Sequence, residues 1–130
     1  MREKWSFANF SEIEQVCFDF VLYESLNSRI ENMKQVRIYT LKDKQSAEIY
    51  FHRHWPRHMA SLPAFGIYVN HVYLGKECQV IATVTYQEDA EIQAINQKYM
   101  ASKAFMSDME GFDMSSILRV DEIIIKETLF

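Results

Sequence analysis

The sequence predicts a single α+β domain, and three observations predict it. Four strand-like and two helix-like segments alternate as β-α-β-β-α-β. The length of 130 residues fits one domain with a hydrophobic core of its own. Apolar residues make up 48% and charged residues 25% of the chain, proportions that sustain a packed core rather than an extended polar chain.

The first strand signal is Val36-Arg37-Ile38-Tyr39-Thr40-Leu41, stopped by the polar Lys42-Asp43-Lys44. Ala47, Tyr50, Phe51, His54, Trp55, His58, Met59 and Leu62 then recur at three- and four-residue steps, which is one face of a helix. Pro56 lies within this pattern. It has no N–H for the carbonyl of His52, so a kink or a restart is expected there.

After Pro63 and Gly66, residues Ile67 to Leu74 and Gln79 to Tyr86 read as strands joined by Gly75-Lys76-Glu77, an antiparallel hairpin. Asp89 is placed to cap a second helix through Ile92, Ile95 and Tyr99, with Phe105, Met106 and Met109 as a further turn that Gly111 ends. The last strand signal, Val120 to Lys126, contains Ile123-Ile124-Ile125. Such a run fits a strand covered on both faces.

This order is that of the ferredoxin-like split β-α-β unit, with one antiparallel sheet and both helices on one of its faces. Strands such as Val80-Ile81-Ala82-Thr83-Val84 are apolar or weakly polar on both faces. The face without helices therefore calls for a cover, and a second copy of the same sheet is the economical one.

Residues 1–34 are assigned to an N-terminal extension, because a polar stretch from Asn27 to Lys34 separates them from residues 35–130. Ser11-Glu12-Ile13-Glu14 has the form of a capping box, and Ile13, Val16, Cys17 and Phe20 follow at helical spacing. Val16, Phe18, Phe20 and Leu22 also alternate as in a strand. The helical reading is adopted for this segment.

Composition narrows the function classes. A net charge of −4 with mixed signs supplies no basic face for a run of phosphates, so nucleic acid is not expected as a partner. Cys17 and Cys78 lack the paired spacing of a zinc site and are too few for a disulfide framework; reduced, small apolar side chains are expected. No apolar stretch approaches the roughly 20 residues of a membrane span, and Met1-Arg2-Glu3-Lys4-Trp5 leads into no apolar signal core. The expectation is a cytoplasmic protein without membrane contact.

The chain resembles the dimeric α+β barrel superfamily, and within it the NIPSNAP family and its EthD-like relatives, over roughly residues 35–130. The resemblance rests on Arg37-Ile38-Tyr39-Thr40-Leu41, on Tyr50-Phe51-His52-Arg53-His54-Trp55-Pro56-Arg57-His58, on Phe65-Gly66-Ile67, on Gln79-Val80-Ile81-Ala82 and on Phe112-Asp113-Met114. It implies a homodimer in which two sheets close into a barrel. It implies no particular reaction, because members of the superfamily include cofactor-free monooxygenases, haem-degrading enzymes, lyases, isomerases and proteins without known activity.

The candidate site is the cleft between the first helix and the sheet, where Tyr50, His54 and His58 fall four residues apart on one face. His58 is the candidate general base, since a histidine near its ordinary pKa takes a proton at neutral pH. It also occupies the position after a Trp, here Trp55, where EthD-like relatives tend to carry a histidine. His54 is the second catalytic candidate, and Tyr39, Tyr50, Trp55, Tyr86, Phe105 and Met109 are candidates to line a pocket for a small apolar molecule.

The plain alternative is that His54 and His58 are hydrogen-bonded core residues at a kinked helix. No third ligand or acid accompanies the histidine pair, so no metal is expected, and the second helix offers no axial histidine for haem. Two functions follow. One is a homodimeric domain that binds a small apolar ligand or a protein partner without turnover. The other is a cofactor-independent monooxygenase, cyclase or isomerase acting on an aromatic or polyketide-like substrate, with His58 as base and a strand tyrosine holding an oxyanion.

Overall fold

The computed structural model describes residues 32–87 and 90–129. The extension's capping box, its helical reading and Cys17 lie outside these residues, and so does the Asp89 cap. Strand β1 (Asn32–Leu41) is followed by helix α1 (Lys44–Ile49), a π-helical turn (Tyr50–His54), helix α2 (Trp55–Ser61) and a 3-10 turn (Leu62–Phe65). Strands β2 (Tyr68–Leu74) and β3 (Gln79–Gln87), helices α3 (Ile92–Met100) and α4 (Lys103–Asp108), a 3-10 turn (Met114–Ser116) and strand β4 (Ile117–Ile125) complete the order.

The four strands make one antiparallel sheet in the order β2-β3-β1-β4. Strand β1 begins at Asn32, three residues before the expected domain boundary at 35, because Lys34 pairs with Thr85 on one side and Ile125 on the other. Strand β4 likewise begins at Ile117 rather than Val120. Beyond Arg119, opposite Thr40, the register shifts so that Ile117 faces Leu41.

Alternation sorts the side chains. Gln35, Arg37, Tyr39 and Leu41 of β1 and Val80, Ala82, Val84 and Tyr86 of β3 are buried on the face that packs against the helices. The core is built on that face with Trp55, Leu62, Ile67 and Tyr99. The other face carries Val36, Ile38, Ile81, Tyr68, Tyr73 and Ile123 and has no covering layer among the described residues.

The expectation of a fully covered last strand is corrected for the single chain: Ile123 on the bare face is 52% exposed, and Ile124 on the helix face is 50% exposed. The physical reason is position. Among the described residues, strand β4 is at the edge of the sheet, and the helical layer does not reach over its row of side chains.

The first helix breaks as expected, through a π-turn rather than a simple kink. Asp43 caps α1 by accepting from the Ser46 N–H at 2.7 Å. The Trp55 N–H reaches back to the Tyr50 carbonyl, one residue further than in an α-helix, and Pro56 then stands in the first turn of α2, where its missing N–H costs nothing. The extra residue keeps Tyr50 and His54 at the two ends of the turn and Trp55 and His58 after it all facing inward. Met59, expected on the same stripe, is instead exposed.

The second helical segment is also divided. Ser102 stops α3 and caps α4, its Oγ accepting from the Phe105 N–H at 3.1 Å. Gly66, at φ 83°, closes the 3-10 turn in the left-handed region that favours glycine. At Gly75 a Cβ would stand 3.1 Å from the Gln79 carbonyl oxygen, in the hairpin where the Gly75 N–H donates to that oxygen.

Candidate functional site

All eight residues singled out as catalytic or ligand-lining lie between the helices and the sheet. His54, His58, Tyr39, Tyr50, Trp55, Tyr86 and Met109 are buried, and Phe105 is half-buried. Six of them, all but Tyr86 and Met109, meet in a nest of rings. Tyr39 and Tyr50 are 5.3 Å apart between ring centroids, Tyr39 and Trp55 5.8 Å, Trp55 and His58 5.0 Å, and Phe105 stacks on His58 at 6.2 Å. Phe112 closes the nest against Tyr50 at 5.2 Å and His54 at 5.0 Å.

Within this nest a hydrogen-bonded chain joins three elements. The Tyr99 hydroxyl of α3 donates to Asp108 Oδ2 of α4 at 2.5 Å, so its oxygen is left to accept from His58 Nδ1 of α2 at 2.6 Å. The Ser61 hydroxyl donates to the other carboxylate oxygen at 3.1 Å. His54 Nδ1 donates to the Asp108 carbonyl at 2.8 Å, and Arg57 donates to the same carbonyl from the rim at 3.3 Å. Asp108 is therefore the centre on which both candidate histidines converge.

Burial lowers the His58 pKa from 6.5 to about 4; the Asp108 carboxylate opposes that shift, and His54 and Arg37 reinforce it. His58 is thus neutral at pH 7 with its proton on Nδ1, and its 3.8 Å approach to Asp108 Oδ2 is not an ion pair. Burial, and then the hydrogen bond and charge of Asp108, hold the Tyr99 hydroxyl above its ordinary range, so it stays protonated. Burial does the same to Tyr50.

A second polar cluster lies on the sheet. The Arg37 guanidinium, on a residue only 6% exposed, donates to Gln35 Oε1 at 3.0 Å, Tyr39 Oη at 3.2 Å, Tyr86 Oη at 2.6 Å and Asn96 Oδ1 at 2.7 Å. Tyr86 donates in turn to Gln35 Oε1 at 2.9 Å and accepts from Asn96 Nδ2 at 3.0 Å. Burial alone lowers the pKa of Arg37, but Tyr39 and Tyr86 outweigh it and hold the guanidinium charged. None of these partners is a carboxylate.

Tyr39 and Tyr86 are thus joined through Arg37, whereas Tyr50 and Trp55 are surrounded by rings. His54 Nε2 and Trp55 Nε1 are buried without a hydrogen-bond partner among the described residues. The Trp55 N–H lies near enough to the Tyr50 hydroxyl to oppose its upward shift, although outside hydrogen-bonding geometry. A surface depression lined by Gln45, Glu48, Ile49, His52 and Arg53 shares no residue with either cluster.

Sequence reasoning missed Gln35, Arg37, Asn96, Ser61 and Asp108. Gln35, Arg37 and Tyr39 alternate in step with Leu41, a signal that polar side chains share the core face of β1. Asp108, between Met106 and Met109 in an apolar turn, carried a similar signal. Among the described residues no three His, Cys, Asp or Glu side chains converge as metal ligands, and no helix is long and apolar enough to cross a membrane. No family model, no curated protein and no solved structure matches the chain.

Proposed function

We propose that this chain is a NIPSNAP-like homodimeric domain with ferredoxin-like topology that binds a small apolar ligand or a protein partner without turnover. The observation that carries the reading is the state of the interior polar groups: His58 Nδ1, the Tyr99 hydroxyl, the Asp108 carboxylate and the Arg37 guanidinium are engaged with neighbours in the protein. A strand order of β2-β3-β1-β4 with antiparallel neighbours is the order the ferredoxin-like reading requires. The bare apolar face supports self-association.

Sedimentation of the full chain at low micromolar concentration tests the dimer, and a stable lone subunit overturns it. A panel of ring-containing apolar compounds and carbonyl compounds, scored for both binding and conversion, tests the rest. Binding without conversion is the expected result, and conversion that His58→Gln abolishes defeats it.

A second reading is favoured by one observation. Tyr99 takes the Nδ1–H of His58, the tautomer that leaves Nε2 with its lone pair. In this reading the chain is a cofactor-independent monooxygenase, cyclase or isomerase, with His58 as the base and His54 beside it. Such an enzyme would keep its base unprotonated above about pH 4, so its activity would persist well into the acid range.

A further inference from the structure

The register of the sheet lays out the bare face in rows. Val36 stands between Thr83 and Ile123, with His71 beyond Thr83, so these four side chains make one row across the strands. Tyr73, Ile81, Ile38 and Asp121 make the next row, about 7 Å further along. The middle of both rows is aliphatic or weakly polar, but the two rims differ. On the β2 rim His71 stacks on Tyr73 at 5.8 Å between ring centroids, and Tyr73 is 51% exposed. On the β4 rim Asp121 accepts from Arg119 through Oδ2, which leaves Oδ1 for a further donor.

The occupant these rims fit is a second copy. Two copies that stack their bare faces with strands aligned and both rows in contact have a two-fold axis either across the strands or along them. An axis across the strands exchanges the two rows and sets the Asp121 carboxylate of each copy on Ile123 of the other. Stripping water from a carboxylate against an aliphatic side chain is costly. An axis along the strands instead keeps each row on itself and lays the β2 rim over the β4 rim. Ile38 then meets Ile81, Ile123 meets His71, and Asp121 meets Tyr73, an acceptor facing a donor. Arg119, in the row of Thr40, Gln79 and Gly75, comes over that glycine, where no side chain obstructs the guanidinium.

We infer that the second copy sits with its two-fold axis along the strands, so that the Tyr73 hydroxyl of each copy donates to the Asp121 carboxylate of the other. This contact rests on the bare-face dimer proposed above and fixes its orientation.

A double-mutant cycle, read by sedimentation of the full chain over a concentration series, tests the contact. Tyr73→Phe and Asp121→Ala should each raise the dissociation constant at least about tenfold, since the bond is made to a charged group and occurs twice. The double variant should be less than about threefold weaker than Asp121→Ala, because its partner is already gone. Orientation is read by cross-linking chains that carry Cys17→Ala and Cys78→Ala, using a bismaleimide of about 10 Å, the spacing of stacked sheets. A mixture of Tyr73→Cys and Asp121→Cys chains should give cross-linked dimer, and neither variant alone should. Tyr73→Cys linking to itself as readily as in the mixture overturns the inference, since an axis across the strands brings the two Tyr73 positions within one row of each other. A dimer indifferent to both Tyr73→Phe and Asp121→Ala, or additive losses in the double variant, overturns the contact and leaves the dimer standing. A stable lone subunit assigns the face to another occupant and overturns both.

Discussion

His58 shows how burial decides what a histidine can do. Only 4% exposed and facing Tyr99, it is held neutral in the folded chain down to about pH 4, whereas in the unfolded chain it takes a proton near 6.5. The unfolded state therefore binds more protons between those values, and stability falls as the pH drops from about 6.5 to about 4. The loss is on the order of 3 kcal/mol at its limit, at 1.36 kcal/mol per pKa unit. Denaturant melts of wild type across this window should show that slope, and His58→Gln should flatten it. Tyr99→Phe tests the same chain from its middle. It removes the group that bridges His58 Nδ1 and Asp108 Oδ2, which are 3.8 Å apart, and leaves both buried. Leaving buried polar groups unsatisfied costs about 1–3 kcal/mol each, so Tyr99→Phe should lower the denaturant midpoint without changing the slope of the transition.

At the scale of elements, what holds Asp108 in place is a short helix with a single cap. Helix α4 has six residues, and its start depends on Ser102, whose Oγ accepts from the Phe105 N–H and donates to the Tyr99 carbonyl. Losing such a cap costs about 1 kcal/mol. Ser102→Ala should therefore cost that much in a denaturant melt and speed amide exchange across α4 ahead of α3, whereas equal exchange in both helices would mean that α4 is held by packing alone. Periodicity made most of this layer legible: the stripe from Ala47 to Leu62 located Tyr50, His54, Trp55 and His58 in the interior, whereas β3, apolar or weakly polar on both faces, left the side taken by Tyr86 to its register. It could not reveal the π-turn, because an inserted residue shifts the stripe by one step and looks like an irregularity; Pro56 marked the place but not the form. Nor could it pair Asp108 with two histidines more than forty positions away, a contact that only the fold creates. Arg37 was legible in principle, but a charged residue between Val36 and Ile38 reads as the outward side of a strand, and here the outward side holds the aliphatic pair.

At the scale of the whole sheet, one face is protected and the other is bare among the described residues. The bare face is not uniformly apolar: Lys34, Arg119 and Asp121 sit among Val36, Ile38, Ile81 and Ile123, and Arg119 Nε donates to Asp121 at 2.9 Å. A charged pair within an apolar field is what an interface needs for register, while the surrounding side chains supply its affinity. In a two-fold dimer every substitution occurs twice, so its effect doubles. Burying an isoleucine side chain is worth about 1.5–3 kcal/mol. Ile123→Ala should thus weaken the proposed dimer at least roughly tenfold in Kd, measured by sedimentation over a concentration series. Val120→Ala, one pleat away but on the helix face, should leave the constant unchanged. If the two variants behave alike, the association does not use the bare face, and the barrel reading fails even if the protein proves to be a dimer.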